Sequence, residues 1–374
     1  VKVNTTNFIP SAHIKGNVGR INLQAHGIDL TKENVNVDNV ILQDGNLSIF
    51  LSDTVPPDTT PNTNHWKINV AQMKIDRTRL DLHMPGDTLE VKAGMGDVAL
   101  TNTHFDLFKG LYKAGHIDWK NGWVNYDNNF EIKQKGLDFN HLAFGDMTVV
   151  ADSFSYCDSR LDIILRECRL KEKCGLAVEN LTGPFGLDST RLWLPKLFLR
   201  TPESELQAQV NMDMDAFADH HPGKLNLVVH GFIGKQDLLL FMKDTPEPLR
   251  RRWPNAPLRI DGVLKGNLRM AKFAGLSVSL PSAFKFQANG YIAGLMDPKR
   301  IKANVDLKAT TYHLDFLTAL LDPSLMQTIR IPVGIGFKGN VRVDGSIYAS
   351  HFRLTEGGGY VAGNGLFDVS RMDY

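Results

Sequence analysis

The sequence predicts a mainly β fold built from a long, repetitive and largely antiparallel sheet with one apolar and one polar face. Apolar residues occupy every second position in several runs, and successive side chains of a strand point to opposite faces of a sheet. Each run therefore describes a half-buried strand with one dry face. The two longest runs are Leu206, Ala208, Val210, Met212 and Met214, and Ile301, Ala303, Val305, Leu307 and Ala309.

A second pattern predicts that some strands bend. Two apolar residues stand at positions i and i+2 and two more at i+5 and i+7, so the parity of the apolar positions flips once. Both halves stay on one face only if the chain bulges or turns a corner between them. The pattern occurs at residues 35–42, 137–144, 192–199 and 347–354. Its starting points lie loosely at multiples of about 50 residues, as in repeat proteins, although ordinary bulges in a β-sandwich would produce it too.

Dipeptides that favour tight turns separate many runs and favour an antiparallel meander over parallel coils. They are Asp44-Gly45, Asn121-Gly122, Asp261-Gly262, Asn289-Gly290 and Asp344-Gly345. Two stretches, 235–243 and 312–321, predict short helices that cap or plug an end of the sheet.

We expect the sheet to run through the whole chain with one interruption. Residues 1–243 are predicted to form an elongated β-groove with a loop excursion at 53–65. Residues 244–257 form a Pro-rich connecting loop, and residues 258–374 continue the same groove. Because the chain begins at Val1 without a methionine or signal peptide, we expect both ends to be cuts in a longer protein.

Composition excludes several classes of partner. Lys and Arg number 42 against 41 Asp and Glu, and the net charge of +1 provides no global field to hold nucleic acid or an anionic membrane, so both partners are disfavoured. No apolar stretch approaches the roughly 18 to 20 residues that span a bilayer. The chain has three cysteines, Cys157, Cys168 and Cys174, so at least one of them has no partner within the chain. The sequence is compatible with one disulfide and with three free thiols.

No motif predicts catalysis, a metal site or a cofactor. The glycines of 334–339 match the dinucleotide fingerprint, but a strand-like segment follows where that site needs a helix. Adjacent side chains such as His220 and His221 point apart in a strand and do not easily share a metal. We therefore expect a protein that is not an enzyme. Carboxylates scattered along a carbohydrate-active β-solenoid remain the enzyme alternative.

The segment 192–217, LWLPKLFLRTPESELQAQVNMDMDAF, resembles the AsmA-like superfamily and its TamB-type translocation and assembly module proteins. An alternating leucine strand is followed by Arg200-Thr201, by Ser204 and by a second alternating strand, and a related arrangement recurs at 281–320. The resemblance implies a sheet folded lengthwise into a half-pipe, or β-taco, with an apolar inner groove. It also implies a periplasmic protein, anchored in the inner membrane through a segment outside this chain, with roles in phospholipid transport and outer-membrane biogenesis.

The alternating sets predict a lipid groove. Acyl chains can cover a dry sheet face as a second protein layer would, so an open groove and a closed sandwich core share one sequence pattern. The predicted groove residues are Leu137, Phe139, Leu192, Leu194, Leu197, Leu199, Leu206, Val210, Met212, Leu225, Leu227, Val229, Phe284, Phe286, Val305 and Leu307.

We therefore expect a non-enzymatic conduit that carries phospholipid between membranes. Its expected partners are phospholipid acyl chains, the membranes at both ends of the full-length protein and an outer-membrane β-barrel protein, but no nucleic acid. A first alternative is a β-scaffold or chaperone-like module that offers a strand edge to outer-membrane proteins during assembly. The carbohydrate-active β-solenoid is the second.

Overall fold

The chain is mainly β, as predicted, and divides into two compact units. The computed structural model describes residues 2–9, 12–51, 65–84, 88–216, 218, 220–242, 245–294, 300–320 and 333–368, without the side chains of 3–9, 12 and 320. The first unit comprises residues 1–189 and 199–202, and the second comprises 190–198 and 203–374. Most of the predicted loop excursion at 53–65 lies outside the described residues.

The first unit consists mostly of long strands. Its strands are β1 (Lys2–Ile9), β2 (Ala12–Asp29), β3 (Asn34–Leu51), β4 (Lys67–Met84), β5 (Leu89–Asp106), β6 (Leu111–Asn128), β7 (His141–Cys157), β8 (Arg160–Glu172), β9 (Ala177–Val178) and β10 (Asn180–Leu187). Each strand from β1 to β8 pairs with the next strand in sequence, and β10 pairs with β8. Among its described ladders, β3 and β4 run parallel and the others antiparallel.

The second unit is an antiparallel meander. Strand β11 (Arg191–Arg200) is divided between the units, and the second unit continues with β12 (Glu205–Asp213), β13 (Leu225–Ile233), β14 (Leu258–Gly266), β15 (Met270–Leu280), β16 (Phe284–Ala293), β17 (Lys302–Thr311), β18 (Gly336–Asp344), β19 (Ile347–Glu356) and β20 (Gly359–Asp368). Each strand from β12 to β19 pairs with the next in sequence. The described strands therefore do not form the parallel coils of a β-solenoid.

The bend predicted at residues 35–42 is present, and the same strand bends a second time. In β3 the apolar positions change parity after Val37 and again after Leu42, and the ladder to β4 is interrupted at Asp38 and Asp44. At the second interruption Gly45 is skipped together with Asp44. Residues skipped in this way lack a partner in this ladder, and the strand bends there. The apolar side chains of all three segments consequently stay on one face of the sheet.

These interruptions line up across four neighbouring strands, β3 to β6. One row contains Asp38, Ala71, Asn102 and Gly115, and the other contains Asp44, Arg77, Gly96 and Asn121. Four of these residues have left-handed backbone angles, with φ of 55° at Asp44, 45° at Arg77, 53° at Asn102 and 54° at Asn121. Asn and Asp tolerate this conformation better than other side chains, which explains their frequency in the two rows.

Gly96 stands at one of these interruptions, in close contact with the neighbouring strand. It faces Asn121 across the β5–β6 ladder, and a Cβ atom at Gly96 would lie 2.4 Å from the Asn121 carbonyl oxygen. Real Cβ atoms do not approach an oxygen so closely, so only glycine fits here. The bend therefore depends on a pair of residues, a left-handed Asn on one strand and a glycine on the other.

The tight-turn dipeptides mostly lie inside strands, and their prediction as hairpin turns was wrong at four of five places. The four are Asp44-Gly45 in β3, Asn121-Gly122 in β6, Asp261-Gly262 in β14 and Asn289-Gly290 in β16. Only Asp344-Gly345 stands at a hairpin, between β18 and β19, with φ of 60° at Gly345. At Asp44, Asn121 and Gly290 the residue types of hairpin turns provide a positive φ inside a strand.

The bend predicted at 137–144 was wrong. Leu137 and Phe139 lie in the connection before β7, outside any strand. Asp138 organises this connection, because its carboxylate accepts the backbone N–H groups of Gln134 at 2.7 Å and Asn140 at 3.1 Å. Such side-chain acceptors stabilise a turn in competition with the sheet ladder.

The bend predicted at 347–354 was also wrong. Strand β19 pairs with both neighbours without a register shift, so Ile347 and Ala349 face the opposite side from Phe352 and Leu354. Ile347 and Leu354 are both exposed, so burial does not force the apolar residues onto one face here. At 192–199 all four leucines lie in β11, and the consecutive exposure of Pro195 and Lys196 between them agrees with a corner.

Three short helical segments lie at one end of the strands of the second unit. The helix predicted at 235–243 is α1 (Lys235–Phe241), and the one predicted at 312–321 is a 3₁₀ helix over Asp315–Leu320. The segment 244–257 lies within the second unit and contains α2 (Glu247–Arg252), which the prediction of a loop missed. Proline is compatible with the first turn of a helix, so the proline-rich composition did not exclude one.

Helix α2, the 3₁₀ helix and the β15–β16 hairpin form the one hydrophobic cluster of buried residues in the described part of the chain. Leu249 of α2 and Phe316 of the 3₁₀ helix pack on Leu280 and Ala283 at the β15–β16 hairpin, both of which have no exposed surface. The ring centroids of Trp253 and Phe316 lie 5.3 Å apart in an edge-to-face arrangement. Helix α2 and the 3₁₀ helix thus cap the strand ends at the β15–β16 hairpin, and of the two helices predicted as caps only the one near 312–321 belongs to this cluster.

We predict that the left-handed conformation at Asn121 limits substitution there. A β-branched side chain is strained at positive φ, so Asn121→Val should lower the free energy of unfolding by roughly 1 to 2 kcal/mol. Asn121→Gly should leave it unchanged or raise it slightly. Asn125→Val, at an exposed and extended position of the same strand, is the control and should be neutral. Equal urea midpoints for both valine variants would contradict the assigned bend.

Candidate functional site

The predicted groove residues are only partly covered by protein. Fifteen of the sixteen are half-buried, and Phe139 is 67% exposed. A closed core would leave such side chains almost no accessible surface, as it does for Leu280 at the capped strand ends. The described parts of the chain therefore leave this apolar face incompletely covered.

In the second unit the structure brings the predicted residues together on one face. Val210 of β12 lies directly opposite Leu227 of β13, and Met212 lies opposite Leu225. Leu227 in turn faces Leu264 of β14. Directly opposed residues have Cβ atoms about 5 Å apart, so these side chains form a continuous apolar strip across three strands.

The strip continues over β15, β16 and β17. Val278 lies opposite Phe286, and Leu307 lies opposite Ala288. Leu192, Leu194, Leu197 and Leu199 lie in β11, whereas Leu137 and Phe139 lie outside the strands of the first unit. The predicted set is therefore one surface only for its members in β12, β13, β16 and β17.

A cavity of about 420 Å³ opens on this face. Three of the predicted residues, Leu225, Phe286 and Val305, contribute to its wall. The remaining wall is formed by Ala216, Leu264, Gly266, Asn267, Leu268, Ala271, Phe273, Leu276, Ala288 and Ile292. The volume lies in the range of ordinary ligand sites, about 300 to 1,000 Å³.

Small residues in the middle of β16 make room for this cavity. Ala288 and Gly290 occupy successive positions on the dry face, and Gly290 lies between Phe273 on one side and Val305 on the other. A Cβ atom at Gly290 would lie 2.1 Å from the Asn304 carbonyl oxygen, and its φ of 147° disfavours any other residue. The large side chains of neighbouring strands therefore surround a depression.

Among the described residues that line the cavity none has an ionisable side chain, and Asn267 is the one with a polar side chain. A site that recognises a polar substrate needs placed donors, acceptors or charges to fix its orientation. This wall offers apolar contact almost alone. The geometry suits a hydrocarbon chain, which gains affinity from burial and tolerates sliding because apolar attraction has no preferred direction.

Sequence reasoning missed a second apolar surface, in the first unit. Between the two rows of bends, directly opposed apolar pairs cross four strands: Val40 and Leu42 of β3, Met73 and Ile75 of β4, Val98 and Leu100 of β5, and Ile117 and Trp119 of β6. Of these only Val98 is buried, at 6% exposure. The signal that would have found them is a parity flip that occurs twice within one strand.

The three cysteines are free thiols. Cys168 lies buried on the apolar side of β8, and burial raises its pKa to about 11. Burial and the neighbouring Glu172 carboxylate raise the pKa of Cys174 to about 11 as well. Both thiols therefore stay protonated at neutral pH and are poor nucleophiles.

The described residues contain no group of three His, Cys, Asp or Glu side chains that could hold a metal ion. In the same part of the chain, no helix has both the length and the apolar composition that a membrane span requires.

We predict slow alkylation of Cys168 in the native protein. Below pH 9, a pKa of about 11 instead of the ordinary 9.0 lowers the thiolate fraction about 100-fold. Iodoacetamide at pH 8 should therefore label Cys168 at least that much more slowly in native than in urea-unfolded protein, as measured by peptide mass spectrometry. Rapid native labelling would show that water reaches this part of the apolar face.

In comparisons with known proteins, no family model, no curated protein and no solved structure matches the chain.

Proposed function

We propose that this protein is a non-enzymatic lipid-binding conduit whose apolar sheet face holds phospholipid acyl chains. The observation that carries the proposal is the incomplete burial of that face together with its 420 Å³ apolar cavity. A continuous exposed apolar surface of this kind normally marks a binding site. Lipid tails are the cover that requires no specific polar contacts.

The free energy of burying hydrocarbon supports a ligand that binds the face and moves along it. Each methylene buried on the face contributes on the order of 0.8 kcal/mol, so a chain of several methylenes binds firmly. Because opposed apolar pairs recur from strand to strand, a chain finds similar contacts after moving by one strand, about 4.8 Å. Repetition thus lowers the cost of sliding along the face.

The paired bends of the first unit favour the half-pipe that the AsmA-like resemblance implies. Two corners in each strand curve a sheet toward one of its faces, and here the apolar residues of all three segments share one face. On this proposal the protein is periplasmic and anchored in the inner membrane through a segment outside this chain. It would carry phospholipid toward the outer membrane and contribute to outer-membrane biogenesis.

We predict that detergent-free protein retains phospholipid in native mass spectrometry. Leu227→Asp should reduce the bound lipid severalfold, because the charge projects onto the apolar strip. On a half-buried site it should cost no more than about 1 to 3 kcal/mol of stability. Val228→Asp changes the adjacent residue, which faces the other side and is 37% exposed, and should retain wild-type lipid.

A lipid-free and stable wild-type protein would contradict the proposal. Global unfolding of Leu227→Asp with a folded Val228→Asp would instead indicate a closed core. Cross-linking that captures outer-membrane proteins but no lipid would favour the scaffold alternative. In the described residues β20 pairs with β19 alone and exposes Tyr360, Val361 and Leu366, which is a surface suited to strand addition.

We predict that filling the cavity weakens lipid binding selectively. Ala271 lines the cavity from β15, so Ala271→Trp should occupy part of its volume and weaken binding of a fluorescent fatty acid at least severalfold. Ala274→Trp places the same ring on the opposite, exposed side of that strand and is the matched control. Equal affinities for both variants would show that the cavity is not the binding site.

A further inference from the structure

We propose that residues 129–140, which connect β6 to β7, form a docking loop for an anionic lipid surface. This inference concerns a loop at the strand ends of the first unit, and it is independent of whether the apolar face carries lipid. Three large apolar side chains of this loop are strongly exposed, with Ile132 at 86%, Phe130 at 80% and Phe139 at 67%. Exposed side chains of this size cost solubility, so their concentration in one loop needs a cover.

The loop is held in place by hydrogen bonds at its base. His141, whose side chain is 2% exposed, contacts an Asp127 carboxylate oxygen through Nδ1 at 2.6 Å and the Glu131 carbonyl oxygen through Nε2 at 2.8 Å. The Asn129 N–H group also donates to the Thr88 carbonyl oxygen at 2.9 Å. An ordered loop presents its apolar side chains without losing much conformational freedom on binding.

Lysines surround these apolar side chains. Lys133 and Lys135 belong to the loop, and Lys171 and Lys173 belong to the adjacent turn after β8, where the Lys173 N–H group donates to the Ala143 carbonyl oxygen at 3.0 Å. All four side chains are exposed. Glu131 is the exposed carboxylate of these two segments. Lys133 Nζ also lies 3.4 Å from an Asp127 carboxylate oxygen, and Lys171 Nζ lies 2.9 Å from an Asp146 carboxylate oxygen, and both lysines stay exposed in these ion pairs.

The two other acidic groups of these segments point inward. The buried Glu172 carboxylate accepts the N–H groups of Ala143 at 3.0 Å and Cys174 at 2.6 Å, and the buried Asp138 carboxylate accepts those of Gln134 and Asn140. Glu172 and Asp138 are therefore withdrawn from the exposed surface, and the ion pairs of exposed lysines such as Lys133 and Lys171 are weak because water screens them. The exposed surface combines four lysines with an apolar tip.

This combination matches a membrane interface better than a protein partner. Phe and aliphatic side chains enter the boundary between head groups and acyl chains, while flanking lysines attract anionic lipids. Three side chains of roughly 150 to 250 Å² each fall short of the roughly 800 Å² per partner of a stable protein interface. Insertion into a bilayer needs no such area.

The test is co-sedimentation of the whole chain with vesicles. We expect binding to an equimolar mixture of phosphatidylcholine and phosphatidylglycerol, and at least tenfold weaker binding of the Phe130→Ser, Ile132→Ser double variant. Lys133→Glu with Lys135→Glu should weaken binding to the anionic vesicles and leave binding to pure phosphatidylcholine unchanged. Because all four side chains are exposed, circular dichroism and thermal unfolding should match the wild type.

Leu30→Ser is the matched control. Leu30 is 74% exposed and lies in the β2–β3 connection. This connection and the loop lie at opposite ends of the strands of the first unit. The Leu30→Ser variant should bind vesicles like the wild type. The inference is overturned if wild-type protein binds no vesicle, if the double serine variant binds normally, or if Leu30→Ser loses as much affinity. Capture of a protein by the loop with no vesicle binding would also overturn it.

Discussion

The structure depends on one constraint: the apolar side chains of a strand must stay on one face although the strand bends. A bend shifts the side-chain alternation by one residue, so the sequence must shift its apolar positions at the same place. Neighbouring strands must also bend together, because a bulge beside a straight strand leaves backbone groups without partners. The row from Asp44 through Arg77 and Gly96 to Asn121 satisfies both requirements.

Part of this constraint is visible in the sequence. The parity flip between Val37 and Val40 predicted a bend that the structure contains. The second bend escaped prediction because Asp44-Gly45 and Asn121-Gly122 carry the signal of a hairpin turn. Both structures need left-handed residues, and only the pairing of distant strands distinguishes them. Ile347 is exposed, so burial does not hold its side chain on one particular face of the sheet. The parity flip at 347–354 therefore produces no bend.

The candidate site was predictable as a face but not as a cavity. Alternation placed Leu225, Phe286 and Val305 on the same side, and the register brings them to one wall. The cavity itself depends on small residues that three strands contribute to its wall, Gly266, Ala271 and Ala288, and their proximity follows from the strand pairing. Alternation also could not separate an open face from a closed core, since both require the same apolar positions. The accessible surface of each side chain supplies that distinction.

Within three residues, strand β16 contains one side chain in a closed core and one on the open face. Phe284 packs against the cluster of α2 and the 3₁₀ helix, where Leu280 and Ala283 have no accessible surface. Phe286, the next residue on the same face, lines the cavity and keeps part of its surface. Helical segments therefore cover the sheet at the ends of its strands and leave the middle of the strands uncovered. On the proposed function an acyl chain would complete the second layer there, since the sheet already provides the first.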